Sequence, residues 1–144
     1  MPLIDDGIKY RFEDKSKGYV VSWHKSFENM CNKEMAILYP DKLYFLNDIS
    51  LRMIDLEDLF KGGYVDIAFG GSTSIKKILP VIVPELSYDN MEVANGTDAM
   101  EAFTRMLKMP EGVERKKLKK DMLAYCELDT LAMVRIFEKM KAYI

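Results

Sequence analysis

The stretch Tyr125-Cys126-Glu127-Leu128-Asp129-Thr130 lies within a longer segment, residues 114–144, whose apolar residues have helical spacing. The apolar side chains that recur there every three or four residues are Leu118, Met122, Tyr125, Ala132, Ile136, Met140 and Tyr143. This spacing predicts one long helix with a single apolar face. Asp129 falls on that face, where a carboxylate is unfavourable unless another group pairs with it.

Two interpretations of Asp129 are open at this point. In the first, it is a core aspartate that a backbone N–H or a hidden Lys or Arg satisfies. In the second, it binds a metal ion, and Tyr125 lies one turn earlier on the same helix face. Metal-dependent phosphodiester hydrolysis needs oxygen ligands on a divalent ion and a group that orients the attacking water. Asp129 and Tyr125 fit those two roles, but such pairs also occur by chance in many helices.

Length, charge and cysteine content narrow the class of protein. A chain of 144 residues, with 49% hydrophobic and 31% charged residues, is typical of a single soluble globular domain. The net charge of −2 gives no general attraction to nucleic acid or membrane, so any polyanion site must be a local patch. Cys31 and Cys126 indicate neither a disulfide framework nor a zinc site. No membrane-spanning run or signal peptide is evident, which predicts a cytoplasmic protein with no membrane partner.

The first half of the chain alternates between strand and helix patterns. Ile8, Tyr10 and Phe12 alternate in a short strand or ragged helix, and residues 19–23 are a clear strand. A helix then begins after Ser26 and a second one after Asp41. The residues expected on their inward faces are Phe27, Met30, Met35 and Leu38, then Leu43, Tyr44, Leu46 and Ile49. A short buried strand at residues 52–54 leads to Asp55.

The second half is mainly helical. Ser74 is expected to cap a helix that carries Ile75, Ile78 and Leu79, and prolines at 80 and 84 limit this helix and make residues 81–89 a linker. A further helix begins at Thr97 or Asp98. Its inward residues are expected to be Met100, Phe103 and Leu107. The whole pattern predicts an α/β fold with a small sheet and several helices.

A second candidate site follows the strand at residues 19–23, in His24-Lys25-Ser26-Phe27-Glu28. Catalytic groups in α/β proteins tend to lie where a strand passes into a helix at the carboxyl edge of the sheet, and Glu28 has that position. The alternative is a first-turn acid that interacts with the helix dipole, worth about 0.3–1 kcal/mol. His24 is the only histidine, which excludes sites with several histidine ligands.

A basic run precedes the aspartate on the last helix. Its charged members are Arg115, Lys116, Lys117, Lys119 and Lys120. One interpretation is a solvated helix face. The other is a patch that contacts the phosphates of a nucleic acid.

Taken together, these motifs resemble those of the tyrosine subtype of DEDD 3′–5′ exonucleases. Tyr125-Cys126-Glu127-Leu128-Asp129 is similar to their third motif, YxxxD, on the last helix of an RNase H-like fold. In that family the aspartate binds the catalytic metal and the tyrosine positions the attacking water. The His24–Glu28 stretch resembles the second motif, an Asn, a short gap and Phe-Asp. Here His24 replaces the usual Asn and Glu28 the usual Asp, so the carboxylate is one methylene further out.

The resemblance is closer still to an uncharacterised bacterial domain of unknown function that is itself regarded as RNase H-like. The resemblance covers about residues 15–143. It is specific, because four blocks of the family occur in order. The blocks are residues 54–56, 71–80, 95–100 and 125–133. The superfamily's first motif, Asp-x-Glu on the opening strand, should precede the strand at residues 19–23. None of the residues before that strand reads Asp-x-Glu, and Asp5-Asp6 is not a substitute.

The resemblance therefore implies a truncated RNase H-like layer, residues 1–144 forming one partial domain. The implied function is a fragment of a metal-dependent 3′–5′ exonuclease-like domain that acts on nucleic acid 3′ ends and is inactive alone. Asp129 and Glu28 would be ligands of Mg²⁺ or Mn²⁺, Tyr125 would orient water, and residues 115–120 would contact phosphates. The alternative is a non-catalytic interaction module of the same fold. With its opening strands absent, the chain is expected to form a homodimer or to pair with a missing N-terminal half.

Overall fold

The computed structural model describes residues 18–143, and the chain divides into two compact units, residues 1–59 and 60–144. The predicted element around Ile8, Tyr10 and Phe12 and the Asp5-Asp6 pair lie outside the described residues. The strands and α-helices are β1 (Val20–Ser22), α1 (Lys25–Leu38), α2 (Leu43–Arg52), β2 (Met53–Asp55), α3 (Asp58–Gly62), α4 (Ile75–Ile82), α5 (Gly96–Lys108) and α6 (Val113–Met140). Short 3₁₀ turns occur at Pro40–Lys42, Ile67–Phe69 and Lys141–Tyr143. The fold is thus mixed α/β and mostly helical.

In the first unit, β1 and β2 form a two-stranded parallel sheet, with α1 and α2 as the connection between them. Parallel strands cannot be joined by a tight turn, so the two helices provide the crossover. The register pairs Val20 with Met53 and Ser22 with Asp55. Ser22 is buried, and its Oγ donates to the carbonyl oxygen of Ile54 at 3.1 Å. Both strands therefore end at the same edge, next to the start of α1.

The apolar face of α1 does not point into this unit, contrary to the prediction. The side chains of Phe27, Met30, Met35 and Leu38 are all exposed. The helix instead packs on α2 through a polar face, where Ala36 is buried and Asn32 Nδ2 donates to Ser50 Oγ at 3.2 Å. Leu43 and Tyr44 on α2 are also exposed, so their predicted inward positions are wrong. Periodicity identified a common face but not the side that packs.

The second unit has a conventional apolar core. α6 contacts both α4 and α5, and the 3₁₀ turn at Ile67–Phe69 contacts α4. The core side chains include Phe60, Phe69, Ile78, Leu79, Val83, Ala102, Ala132, Ile136 and Met140. The predicted helix from Ser74 and its inward Ile78 and Leu79 are confirmed, although Pro80 lies inside the helix instead of ending it. On α5, however, Met100, Phe103 and Leu107 are exposed and Ala102 is buried.

The predicted long C-terminal helix is confirmed as α6, which runs without a break through 28 residues. The apolar stripe is buried at its C-terminal end, at Ala132, Ile136 and Met140. Tyr143 lies beyond the helix, and its ring centroid is 5.7 Å from that of Tyr64. Within the part of the chain that the structure describes, none of the helices combines the length and apolar character needed to cross a membrane.

Candidate functional site

Asp129 on α6 is paired with a tyrosine that lies far away in the sequence. The hydroxyl of Tyr88 donates a hydrogen bond to Asp129 Oδ1 at 2.6 Å. Tyr88 comes from the stretch between α4 and α5, and its side chain is buried. This short, charge-assisted bond supplies the partner that a carboxylate on an apolar stripe requires. The partner is a phenol, whereas the sequence suggested a backbone N–H or a basic side chain.

Tyr125 belongs to the same cluster. Its ring centroid is 6.1 Å from that of Tyr88, and it lies one turn before Asp129 on α6. Burial raises the pKa of Tyr125, and the negative charge of Asp129 raises this pKa further. Burial also raises the pKa of Tyr88. The hydrogen bond to Asp129 and the negative charge of Asp129 raise it further. Both phenols therefore stay protonated at neutral pH, and Tyr88 donates to the carboxylate.

The described residues do not by themselves form a metal centre. Within residues 18–143, no three or more His, Cys, Asp or Glu side chains are grouped so that they could hold a metal ion. A divalent ion such as Mg²⁺ or Mn²⁺ requires several oxygen ligands. Asp129 offers one carboxylate, and its Oδ1 already accepts a hydrogen bond from Tyr88. The residues around Asp129 therefore do not fit a complete metal site.

Glu28, the other predicted ligand, lies in the first turn of α1. This position agrees with both sequence interpretations, a carboxylate beyond the end of a strand and an acid near the positive end of a helix dipole. Burial, followed by the charge of Glu28, raises the pKa of the Cys31 thiol. Glu28 lies in the first unit and Asp129 in the second, and their convergence on one metal ion stays a prediction.

The junction between β1 and α1 is organised by the carboxylate of Asp55, at the end of β2. Asp55 Oδ1 accepts the backbone N–H groups of His24 at 3.0 Å and Glu57 at 3.1 Å, and Oδ2 accepts that of Lys25 at 2.9 Å. These bonds hold His24 in the left-handed conformation, with φ 65° and ψ 59°. That conformation is unfavourable by about 1–2 kcal/mol for most residues. The structure therefore maintains a strained backbone at the N-terminal end of α1.

The side chain of His24 has a buried partner. Its Nδ1 lies 3.1 Å from Glu57 Oε2, and the side chain of Glu57 is only 8% exposed while that of His24 is 60% exposed. Sequence reasoning missed this pair because Glu57 lies beyond β2 and outside the motifs that were compared. It also missed Tyr88, which falls in the stretch predicted as a linker. The triplet Asp55-Leu56-Glu57 at the end of β2 was the available signal for the first, and nothing marked the second.

The basic run on α6 is divided between two environments. Arg115 forms an ion pair with Glu111, with Nη1 and Oε1 at 2.8 Å, and Lys117 lines a cleft of about 480 Å³ beside α5. The carboxylates that line the same cleft are Glu92, Asp98, Glu101, Glu114 and Asp121. Lys116, Lys119 and Lys120 are exposed, and their spacing places them on one helix face. These three lysines form a basic face that is narrower than the whole run.

We expect the Tyr88–Asp129 bond to stabilise the second unit. Tyr88→Phe removes the donor and should lower the free energy of unfolding by about 1.5–3 kcal/mol, as for hydrogen bonds to charged groups. Urea unfolding of Tyr88→Phe, Asp129→Ala and the double variant should give a coupling energy of about 0.5–3 kcal/mol. The control is Tyr143→Phe, because this tyrosine is 70% exposed. Equal losses in Tyr88→Phe and Tyr143→Phe, with no coupling, would contradict the assignment.

Comparison with known proteins gives one family match. Residues 7–74 match the model of a domain of unknown function, DUF2779. The match covers nearly all of the first unit and the start of the second, while the blocks at residues 95–100 and 125–133 lie beyond it. No curated protein and no solved structure matches the chain. The N-terminal half is therefore similar to an uncharacterised domain family.

Proposed function

We propose that the chain is part of a DEDD-type, RNase H-like domain related to metal-dependent 3′–5′ exonucleases, and that it is inactive alone. The observation that supports this proposal is the pairing of Tyr125 with Asp129 on α6, in a half-buried cluster with Tyr88. In the exonucleases that the sequence resembles, this aspartate binds metal and this tyrosine orients water. Mg²⁺ or Mn²⁺ would supply the electrostatic stabilisation of the charge that develops on the phosphate oxygens.

The inactivity follows from the ligands that the chain lacks. A two-metal site must hold both the attacking and the leaving oxygen of an in-line displacement. The candidates here are Asp129 and Glu28 alone, and no Asp-x-Glu precedes the strand at residues 19–23, where the first motif belongs. Asp129 Oδ1 in addition accepts a hydrogen bond from Tyr88. The described residues place only one carboxylate, Asp129, beside two neutral phenols, Tyr88 and Tyr125.

We expect no 3′–5′ degradation when the purified chain is incubated with end-labelled single-stranded DNA or RNA in Mn²⁺. The reason is that one or two carboxylates cannot hold both reacting oxygens. The matched control is Asp129→Asn, which should behave identically. Degradation by the unaltered chain that disappears in this variant would contradict the inactivity and would mean that further carboxylates complete the site.

The nucleic-acid contact in this proposal is the basic face of Lys116, Lys119 and Lys120. Arg115 and Lys117 are less available for phosphates, because the first is paired with Glu111 and the second lies among carboxylates. Three exposed lysines at positions i, i+3 and i+4 can follow a phosphate backbone without reading its bases. Such binding is weak, insensitive to sequence and strongly dependent on salt.

We expect changing these three lysines to Gln to weaken binding of a fluorescent single-stranded oligonucleotide, measured by anisotropy over a range of salt. The slope of log affinity against log salt should become less steep by about 2, since each phosphate contact on a single strand contributes about 0.7. The control carries the same charge change at Lys33, Lys77 and Lys139, which are scattered exposed lysines. Equal effects in both triple variants would leave only a general charge effect and would contradict the assignment.

The alternative function is a non-catalytic interaction module, and one observation favours it. The apolar face of α1 is exposed along much of its length, at Phe27, Met30, Ile37 and Leu38. Contiguous apolar patches of this kind mark interaction sites. We infer a second copy of the chain as the partner, since one apolar helix face can bury its counterpart in a two-fold dimer.

We expect light scattering to show a dimer that dissociates when Ile37 and Leu38 are both changed to Glu. The two new charges would be desolvated in such an interface, which is strongly unfavourable. Lys77→Glu on α4 is the control, because Lys77 is exposed and lies outside α1. A monomer at high concentration for the unaltered chain would contradict this alternative.

A further inference from the structure

A second site lies at the carboxyl edge of β1 and β2, in the first unit. Its central group is the imidazole of His24, the only histidine of the chain. His24 Nδ1 lies 3.1 Å from Oε2 of Glu57, which is buried, while the imidazole is mostly exposed. The carboxyl edge of parallel strands is where α/β proteins bind ligands. This site is independent of the cluster around Asp129 and of the function proposed for it.

The protonation state of the Glu57 carboxyl group decides which ring nitrogen carries hydrogen. The ionised carboxylate can only accept, and with it Nδ1 is the donor in this pair. In the neutral imidazole, Nε2 then has the free lone pair. Because Nδ1 is engaged with a buried group and the side chain is exposed, Nε2 is the nitrogen that can meet a ligand. If Nε2 takes up a proton, the resulting imidazolium forms an ion pair with Glu57.

The backbone of His24 is also fixed. Asp55 accepts the N–H groups of His24 and Lys25 and so holds His24 in the left-handed conformation. Among residues 18–143, His24 is the only residue other than glycine with a positive φ. Gly would adopt this conformation without strain. Both the backbone and the ring of His24 are therefore held in place at the carboxyl edge of the sheet in the first unit.

We propose that His24 is an acid–base residue, with Glu57 as the group that orients its ring and stabilises its protonated form. In the step that this predicts, an O–H bond of a water molecule breaks and its proton moves to Nε2, while the oxygen forms a bond to the electrophilic atom of an ester. The leaving alcohol departs with the electron pair of the broken ester bond, and His24 then returns its proton to the alcohol or to solvent. The ligand class is an acyl or phosphoryl ester, because its hydrolysis requires a proton to be removed from the attacking oxygen.

The arrangement of the ring can be measured directly on the complete chain. Since the chain has one histidine, the ¹⁵N spectrum of labelled protein contains one imidazole spin system. We expect hydrogen on Nδ1 and a free lone pair on Nε2 in the neutral ring. In Glu57→Gln this preference should weaken. A neutral ring with hydrogen on Nε2 in the unaltered chain would overturn the proposal, whatever the variant does.

The chemistry is tested with p-nitrophenyl acetate as the probe ester. The unaltered chain should release p-nitrophenol severalfold faster than His24→Gln, which keeps a polar side chain but has no base. Glu57→Gln should fall between them, because an amide can still accept from Nδ1–H but does not stabilise the imidazolium. Circular dichroism checks that each variant is folded. Equal rates for the unaltered chain and His24→Gln would overturn the assignment of His24 as an acid–base residue.

Discussion

The carboxylate of Asp55 is the group on which the first unit depends. It accepts three backbone N–H groups, two from the start of α1 and one from the residue that precedes α3. A single side chain at the end of β2 thereby fixes where β1 passes into α1. The same bonds set the orientation of His24 and the position of Glu28 in the first turn of the helix. Without this acceptor, three amide groups would lose their partner and the left-handed conformation of His24 would lose its support.

In the second unit the carboxylate of Asp129 also accepts a hydrogen bond, but from a tyrosine side chain and not from backbone N–H groups. Asp129 lies on the face of α6 that further along buries Ala132 and Ile136. The charge is accommodated because Tyr88 donates a hydrogen bond to it. Burial and the neighbouring carboxylate raise the pKa values of Tyr88 and Tyr125, so both phenols stay neutral. Tyr88 also connects the stretch between α4 and α5 to α6. The cluster is thus a structural element of this unit as well as the candidate site.

The carboxylates of Asp129 and Glu57 have different consequences for function. The neighbours of Asp129 are phenols, which supply hydrogen bonds but leave few oxygen ligands for a divalent ion. The neighbour of Glu57 is an imidazole, whose ring nitrogens can donate and accept hydrogen without a metal. The exposed apolar face of α1 offers a third capacity, association with another chain. The chain therefore has three separate candidate features. They are the carboxylate of Asp129 beside two phenols, the imidazole of His24 and the exposed apolar face of α1.

The sequence by itself determined the elements and some of their faces. The three- and four-residue spacing predicted α6, the β-type run predicted β1, and the pattern after Ser74 predicted the buried Ile78 and Leu79. It also brought Tyr125 and Asp129 onto one face, because their spacing is fixed by the helix.

Only the tertiary structure decided which faces are covered and which distant groups meet. The apolar residues of α1 share a face, as the sequence predicted, but α2 packs on the polar side of that helix. Tyr88 reaches Asp129 across 41 positions, and Glu57 reaches His24 across 33. Periodicity is a local property of the chain, so it records which residues lie on one side of an element. Partners that are distant in the sequence depend on how the elements pack, and no local pattern contains that information.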